Sequence, residues 1–470
     1  MSRVSLAVCV DLGSTFTKAL LVALEDGAAG PAGTVLASAS HPTTLPDAAG
    51  RGDLLDGYDA CRAALAASYP CGSGADDVVV LACSSAGGGL RIGVLGNEAL
   101  VTAEAGRRVA LSSGGRVVAV HALAQDGTDP GALAAARPDV VLLTGGTDGG
   151  NPTPLVEGAR VLAALARQGW DGAVVVAGNV DAAPAAAAVL EEAGLAHRTA
   201  GNVVPRIGVL APASARARVR ELFLAHVIGG RRLSRRPELP RLLRGATPDL
   251  VLDGVALLAD VVGDVVVVDV GGATTDVYSA TEVDPEHASR EVVARTRLNR
   301  TVEGDLGMRW SAPSTVAAAD DPGVAHDPAL VAAAQRRADD PALLPATPED
   351  QAVDLRIAEV AVRTAVRRHA GRFVDRDRDR TDGGGTDLRE VALLLGSGGV
   401  LRHAGTDRSR AVLRAATGDA GAGPGGWLVP AAPRTGLDGS YVLAAVGLLA
   451  ADHPEVARSL VRSLAAGAAT

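Results

Sequence analysis

The sequence has 470 residues, with 45 Lys and Arg against 54 Asp and Glu and a formal net charge of −9 at pH 7. This length exceeds what one hydrophobic core supports and predicts two or three domains, while the acidic balance argues against a nucleic-acid surface, which needs a basic face. Hydrophobic residues make up 47% of the sequence and aromatic residues only 2%, so the cores must be built from Ala, Val and Leu.

The cysteines, the apolar runs and the basic runs indicate in which cellular compartment the protein is expected. Cys9, Cys61, Cys71 and Cys83 have no CxxC spacing and predict buried thiols in a reducing compartment. The sequence has no uninterrupted apolar run of ~18 residues and no basic leader, so we expect a cytoplasmic protein with no membrane span. The basic cluster RRLSRRPELPRLLR, Arg231–Arg244, is interpreted as a solvated linker rather than a binding patch.

The first part of the chain predicts strands joined by glycine turns. Strands are predicted at VSLAVCVDL, FTKALLVAL, GTVLASAS and DDVVVLACSS, and helices at GYDACRAALAASY and NEALVTAEAGRRVALSS. From about Arg116, the Val-rich strands RVVAVHAL, DVVLLTGG and GAVVVAGN alternate with Ala-rich helices, which predicts a parallel sheet covered by helices. A Pro/Arg-rich connector then runs to about Ala246.

The last part begins with a predicted helix, DLVLDGVALLADVV, and the strand–turn–strand segment DVVVVDVGGATTDVYSA. The charged, glycine-rich run at Asp375–Asp387 predicts a mobile loop. After it, LREVALLLGSGGVLRHA predicts a strand, a glycine turn and a helix, and two amphipathic helices end the chain. We therefore expect three domains, at residues 1–115, 116–245 and 246–470.

A segment with Asp at a strand end followed by a glycine turn occurs twice, at positions more than half the chain apart. Asp11-Leu-Gly-Ser-Thr and Asp269-Val-Gly-Gly-Ala-Thr-Thr each place a carboxylate at a strand end, followed by a glycine turn. Glycine lets the backbone approach a ligand, and successive N–H groups in such a bend form an anion nest. An adjacent aspartate can hold Mg²⁺, usually through water. Either turn alone is typical of an ordinary hairpin, but the pair predicts a polyphosphate site.

Two further features support a nucleotide site. Lys18, just after the first turn, is the only lysine of the sequence, and a compact ammonium suits a phosphate oxygen in a cramped turn. Much later, the strand at Leu393–Leu395 leads into Gly396-Ser397-Gly398-Gly399. A turn without side chains allows a flat nucleoside to lie against the backbone.

These segments resemble the phosphate-1, phosphate-2 and adenosine motifs of the actin/Hsp70/sugar-kinase ATPase superfamily. The segments DLGSTFTK, CSSAGGGLRIGVLG, LLTGGTDGGN, VVVAGNVDA, RTVEGDLGMRWS, DVGGATTDVYS and LDGSYVLAAVGLLA resemble, in order, the MutL family associated with glutamate mutase. This resemblance spans nearly the whole chain. The DNA mismatch-repair proteins called MutL share only the name.

The resemblance implies an α/β, actin-like (ribonuclease H-like) ATPase of two lobes with an inserted Rossmann-like domain. It also implies an accessory protein that uses ATP and Mg²⁺ to exchange damaged cobalamin in an adenosylcobalamin-dependent mutase, such as glutamate mutase. No nucleic acid or membrane partner is expected. The sequence leaves the oligomeric state open, a homo-oligomer included.

Carried over residue by residue, the resemblance places Asp11 near Mg²⁺ and the attacking water and has Asp269 hold the metal through water. Thr274 or Thr275 would donate a hydroxyl. The implied nucleotide contacts are Gly13, Ser14, Thr15 and Lys18 at the first turn, Gly271, Gly272, Thr274 and Thr275 at the second, and Gly396, Ser397, Gly398 and Gly399 at the third. The lysine–glutamate catalytic pair of Hsp70 has no counterpart here, so the hydrolytic base is not assigned.

For three polar features the sequence allows both a functional and a structural interpretation. Asp276 is either a turn cap or a functional residue. The Thr144–Asn151 loop either binds an anion at a helix N-terminus or uses Asn151 as a helix cap. Within Arg300–Ser311, Glu303 and Asp305 either reach the nucleotide or metal, or cap the following helix.

Three other functions are less well supported. A small-molecule kinase of the same superfamily would need a catalytic base at a substrate hydroxyl, and the sequence does not identify one. An iron–sulfur activating ATPase needs cysteines at a dimer interface, whereas Cys9 and Cys83 lie in apolar strand ends. Base-off cobalamin binding uses D-x-H-x-x-G, a run that this sequence lacks.

Overall fold

A computed structural model gives the fold of residues 5–27, 30–46, 52–69, 78–86, 90–113, 116–124, 130–224, 233–282, 297–372, 385–418 and 426–468. The chain divides into two units. The first contains residues up to Leu21 and Ala37–Leu250, and the second contains Val22–Leu36, Val251–Glu282 and the residues from Leu298 onward. Cys71 and most of the loop predicted at 375–387 lie outside the described residues. The predicted domain boundaries at residues 115 and 245 remain predictions.

The first sheet carries the Asp11 segment. Its strands are β1 (Leu6–Leu12), β2 (Phe16–Ala23), β3 (Val35–Pro42), β4 (Val78–Ser84) and β10 (Leu243–Ala246), in the order β10-β4-β1-β2-β3. β1 pairs in parallel with β4, and β4 with β10. Only three residues connect β1 to its neighbour β2, and so short a connection requires an antiparallel pair.

The second sheet repeats this arrangement around Asp269. Its strands are β11 (Val265–Val270), β12 (Thr275–Ala280), β13 (Leu298–Glu303), β14 (Leu393–Ser397) and β15 (Arg434–Leu437), in the order β13-β12-β11-β14-β15. β11, β12 and β13 form an antiparallel meander, whereas β14 is parallel to both β11 and β15. Counted within each sheet, both follow the order 3-2-1-4-5. The predicted α/β, actin-like fold class is confirmed.

The third sheet is parallel throughout, as the alternation of strands and helices predicts. It consists of β5 (Arg91–Gly96), β6 (Arg116–Ala122), β7 (Val140–Leu143), β8 (Ala173–Val176) and β9 (His197–Thr199), in the order β6-β5-β7-β8-β9. The sequence analysis did not predict β5, β9, β10, β13 or β15. β5 contains two glycines, β9 is a polar run of three residues, and β10 lies at the end of the arginine-rich connector.

Helices fill the intervals between the strands. Up to residue 262 they are α1 (Leu54–Ser68), α2 (Glu104–Ser112), α3 (Pro130–Ala135), α4 (Thr153–Arg167), α5 (Ala183–Glu192), α6 (Ala213–Leu222), α7 (Leu239–Leu242) and α8 (Thr247–Val262). The later helices are α9 (Ala312–Ala317), α10 (Pro322–Ala325), α11 (Pro328–Asp339), α12 (Pro348–Ala370), α13 (Gly399–His403), α14 (Thr406–Arg414), α15 (Val442–Leu449) and α16 (Pro454–Gly467). Within the described ranges, no helix combines the length and the apolarity needed to cross a bilayer.

A buried group of charges lies among the helices of the second unit. The Asp354 carboxylate on α12 accepts hydrogen bonds from Arg337 Nε at 2.6 Å and from Arg309 Nη2 at 3.1 Å. The side chains of Arg337 and Asp354 are only 2% and 5% exposed. Buried charges are tolerated only when they are paired and hydrogen-bonded, so Asp354 keeps both arginines in the interior.

We predict that Asp354→Asn destabilises the second unit by about 3–5 kcal/mol, because both arginines then remain buried without a carboxylate. Unfolding temperature should fall by roughly 10 °C, since a unit of this size loses about 2–4 °C per kcal/mol. The matched control on the same helix is Glu359→Gln, which breaks a partly exposed pair with Arg363 and should cost about 1 kcal/mol or less. Equal shifts for the two variants in differential scanning calorimetry would contradict this account.

Candidate functional site

The first glycine turn, Gly13–Thr15, is held by Thr43. Inside the turn, the Gly13 N–H donates to the Phe16 carbonyl at 3.2 Å. Thr43 Oγ1 donates to the Gly13 carbonyl at 2.8 Å, and the Thr43 N–H donates to the Thr15 carbonyl at 2.9 Å. In a planar trans peptide the C=O and the following N–H point in opposite directions, so the Ser14 N–H points away from Thr43.

Asp11, the last polar residue of β1, lies in a small polar cluster. Thr247 Oγ1 donates to Asp11 Oδ1 at 2.6 Å, and Lys18 Nζ lies 3.6 Å from Asp11 Oδ2. The side chains of Asp11 and Lys18 are 12% and 22% exposed. Both carboxylate oxygens are therefore oriented, and the charge of the only lysine lies beside the aspartate, as its position in the sequence suggests.

Cys83 also faces this carboxylate. Its thiol lies 3.7 Å from Asp11 Oδ1 and 3.6 Å from the Val10 carbonyl. Burial raises the pKa of the Cys83 thiol well above its ordinary value, and the nearby Asp11 charge raises it further. The thiol therefore stays protonated and acts as a weak donor to Asp11 rather than as a nucleophile.

The second glycine turn, Gly271–Thr274, has the same internal hydrogen bond as the first. The Gly271 N–H donates to the Thr274 carbonyl at 2.9 Å. Equivalent bonds join the first glycine of each Asp-x-Gly segment to the carbonyl three residues later. The repeat in the sequence is therefore also a repeat in backbone geometry.

The segment 308–311 holds the carbonyl groups of this second turn from one side. Met308 N–H donates to the Gly271 carbonyl at 3.0 Å, and Arg309 N–H donates to the Gly272 carbonyl at 2.7 Å. Ser311 Oγ donates to the Ala273 carbonyl at 2.7 Å. Three consecutive carbonyls of the turn are thus fixed toward the same segment.

The N–H groups of this turn consequently point the other way. Because each peptide is planar and trans, the N–H groups of Gly272, Ala273 and Thr274 face away from the carbonyls fixed by 308–311. Within the described ranges, none of these three N–H groups has a hydrogen-bond acceptor. Three outward N–H groups in succession form an anion nest of the kind that binds phosphate, so the residues present fit a phosphate ligand.

Side chains at the second turn divide between the two faces of the sheet. Asp269 and Asp276 are cross-strand neighbours, and directly opposed residues project from the same face. Asp276 accepts from Arg300 Nη2 at 2.5 Å and from Thr274 Oγ1 at 3.2 Å. Thr275 is fully buried, and its strand neighbour two positions on belongs to the apolar core. Thr274 is therefore the more accessible of the two predicted hydroxyl donors.

Glu303 and Asp305 share one cation. Arg368 on α12 donates to Glu303 Oε2 at 2.7 Å and to Asp305 Oδ1 at 2.8 Å. Burial raises the pKa of Glu303 above its ordinary value, although Arg368 opposes this shift. The following helix, α9, has Ser311 at its N-cap position and no side-chain cap, so the two carboxylates pair with Arg368 and do not cap that helix.

The third glycine turn lies directly beside the second. β14 pairs with β11 so that Asp269 is opposite Ser397. Gly398 has a φ of +106°, and a Cβ at this position would lie 2.2 Å from the Val270 carbonyl oxygen. Only glycine allows this approach. The predicted phosphate-2 and adenosine turns are thus neighbours at one end of the second sheet.

Hydrogen bonds to nearby residues hold the Thr144–Asn151 loop in place. Asn202 Nδ2 donates to the Gly146 carbonyl at 3.0 Å and to Asp148 Oδ1 at 2.8 Å. Asn151 Oδ1 accepts from the Thr153 N–H at 3.0 Å, a local bond two residues along the chain at the start of α4, whose N-cap position is Pro152 and has no side-chain cap. An anion site in this loop stays a prediction.

Sequence reasoning did not identify the residues that hold the turns: Thr43, Thr247, Met308, Arg309 and Ser311. Each acts across a separation of more than 25 residues. The polarity of the Arg300–Ser311 segment was the one available signal, and the structure explains it through these contacts. Within the described ranges, no group of three or more His, Cys, Asp or Glu side chains could hold a metal ion without other ligands.

Comparisons with known proteins identify the family of this chain. A family model described as MutL protein matches residues 7–464. Protein MutL of Clostridium tetanomorphum is 31% identical over 472 residues, which cover 96% of this chain and 97% of that protein.

Similar solved structures include a nucleotide-free acetone carboxylase, aligned over 96% of this chain and 71% of its own with 13% identity and a TM-score of 0.38. The ethanolamine utilization protein EutJ of Carboxydothermus hydrogenoformans aligns over 97% of this chain and 89% of its own, with 12% identity and a TM-score of 0.28. The family match and the MutL relative extend over nearly the full sequence, and the chain belongs to the MutL family.

Proposed function

We propose that this chain is an ATP-dependent accessory protein that reactivates an adenosylcobalamin-dependent mutase, such as glutamate mutase, by exchanging damaged cobalamin. The outward N–H groups of Gly272, Ala273 and Thr274 carry the nucleotide part of the proposal, because they form a nest for phosphate oxygens. Family membership supports the mutase part.

In the proposed site, backbone dipoles and a few charges bind the triphosphate. The nest at Gly272–Thr274 would receive phosphate oxygens, and Asp269 would hold Mg²⁺ largely through water, because magnesium keeps much of its hydration shell. For the first turn, the family resemblance implies that Asp11 lies near Mg²⁺ and that Lys18 contributes a point charge. When bound, Mg²⁺ neutralises the charge that develops on the transferring phosphoryl group.

The third turn would receive the nucleoside. Gly398 and Gly399 present backbone without side chains next to the second turn, and Gly399 is exposed. Ser397 is opposite Asp269 in the parallel pair of β11 and β14, so a nucleotide whose phosphates occupy the nest could extend its ribose along this edge.

We expect Asp269→Ala to weaken Mg-ATP binding about 10–100-fold in isothermal titration calorimetry, because a charged partner of the metal and its water is lost. Binding of ATP in EDTA should change much less. The control Glu455→Gln alters an exposed ion pair on α16 and should leave both affinities unchanged. Wild-type affinity for Mg-ATP in Asp269→Ala would exclude this role for Asp269.

The orientation of the nest can be tested through Ser311. Ser311→Ala removes the hydroxyl that holds the Ala273 carbonyl, and we expect Mg-ATP affinity to fall about 3–10-fold, the value of one hydrogen bond. The control is Ser314→Ala, three residues further along, whose hydroxyl contacts the carbonyls of Asp305 and Ser311. An equal effect of the two substitutions would show that the turn does not depend on Ser311.

A reactivation assay tests the proposed function as a whole. Inactivated glutamate mutase is incubated with this protein, ATP, Mg²⁺ and fresh adenosylcobalamin, and recovery of mutase activity is measured. We expect recovery that requires ATP and is lost in Asp269→Ala. Recovery without ATP would contradict an ATP-dependent function. Phosphate transfer from ATP to a sugar or acid, with no mutase recovery, would favour a small-molecule kinase.

A further inference from the structure

The first turn of α8 contacts two different parts of the first unit. This turn, Thr247–Asp249, follows β10 directly, so its position is set by the pairing of β10 with β4. Its two polar side chains, Thr247 and Asp249, each make short hydrogen bonds to other elements. We refer to these three residues as the α8 turn.

Thr247 connects the α8 turn to the proposed nucleotide site. Its hydroxyl donates to Asp11 Oδ1 at 2.6 Å, a distance typical of a charge-assisted hydrogen bond. Thr247 therefore orients the carboxylate that would face Mg²⁺.

Asp249 connects the same turn to α6. Its carboxylate accepts from Arg216 Nη2 at 2.9 Å through Oδ1 and from Arg220 Nε at 2.5 Å through Oδ2. The Asp249 side chain is 2% exposed, and a buried carboxylate is retained only when it is paired in this way. α6 itself packs against β8 and β9 of the third sheet.

The geometry of a helix places these two contacts on opposite sides. Residues two positions apart on an α-helix project about 200° from each other, so Thr247 and Asp249 cannot serve the same neighbour. Pro248 lies between them and fixes its own φ in the helical range. The turn is therefore short and stiff, and a displacement on the α6 side moves Thr247 on the Asp11 side.

We propose that the α8 turn couples α6 to the orientation of Asp11. Thr247 is a positioning residue for Asp11, and Asp249 with Arg216 and Arg220 holds the turn that carries it. The inference rests on the proposed function for its ligand, Mg-ATP, but the link itself concerns the protein without ligand. By thermodynamic reciprocity, a partner that displaces α6 would change Mg-ATP affinity, and Mg-ATP would change the affinity for that partner.

The link is tested first without ligand, by hydrogen exchange of the full chain. Thr247→Val removes the hydroxyl at nearly constant volume, Thr247→Ser retains it, and Asp249→Asn and Arg220→Gln break the contact with α6. We expect faster exchange of peptides that cover Leu12–Lys18 in the Val, Asn and Gln variants and wild-type exchange in the Ser variant. Glu221→Gln, an exposed substitution on α6, is the control. Circular dichroism verifies that each variant folds, and Arg220→Gln is the mildest of them because its side chain is 35% exposed.

The same variants are then titrated with ATP in Mg²⁺ and in EDTA. Thr247→Val and Asp249→Asn should each weaken binding in Mg²⁺ about 5–10-fold, at the lower end of measured couplings, with little change in EDTA. The double variant should be no weaker than Thr247→Val alone, because both substitutions interrupt one link. If Thr247 and Asp249 had only a structural role, their substitution would lower the affinity for ATP in Mg²⁺ and in EDTA to the same extent.

The possible outcomes separate this inference from the proposed function. Wild-type exchange at Leu12–Lys18 in Asp249→Asn and Arg220→Gln would overturn the link, whatever the protein binds. Additive losses in the double variant would show two independent contacts and would also overturn it. If the wild-type protein does not bind Mg-ATP, the proposed function fails, and the exchange data still decide whether α6 and Asp11 are coupled.

Discussion

The hydrogen bonds that fix the carbonyls of Gly271, Gly272 and Ala273 determine what the second turn can bind. A glycine-rich loop has no preferred orientation of its own, because glycine adopts many backbone conformations. Contacts from Met308, Arg309 and Ser311 hold these carbonyls to one side, and peptide planarity then directs the following N–H groups to the other. Without that segment the turn would still connect two strands, but it would not be a preformed nest.

The turns at Gly13–Thr15 and Gly271–Thr274 reach similar geometry by different means. Thr43 holds the first turn through its hydroxyl and its N–H, whereas the segment 308–311 holds the second. The segment 308–311 is also anchored in the interior of the second unit, because Arg309 pairs with the buried Asp354. Stability of the second unit and the orientation of its nest thus depend on the same residue. A preformed site of this kind avoids the entropic cost of ordering a loop when ligand binds.

Local features of the sequence allowed the strands, the glycine turns and the repeated Asp-x-Gly design to be predicted, since these depend on alternation, glycine and residues within one turn. The residues that orient the turns could not be found in the same way. Thr43 and Ser311 hold carbonyls far away in the chain, and Thr247 reaches Asp11 across 236 positions. Such contacts follow from the order of strands in the sheets, which the local pattern leaves undetermined. The strands β5, β9, β10, β13 and β15 were missed because each is short and its apolar pattern is interrupted by arginine together with glycine or other polar residues.

Amide hydrogen exchange at Gly272, Ala273 and Thr274 tests the central claim most directly. The account predicts fast exchange of these amides in the free protein, because they have no acceptor among the described residues, and protection by at least about tenfold when Mg-ATP or a non-hydrolysable analogue is bound. Exchange that is already slow in the free protein, or that Mg-ATP leaves unchanged while calorimetry records binding, would contradict the claim that these N–H groups hold the phosphates.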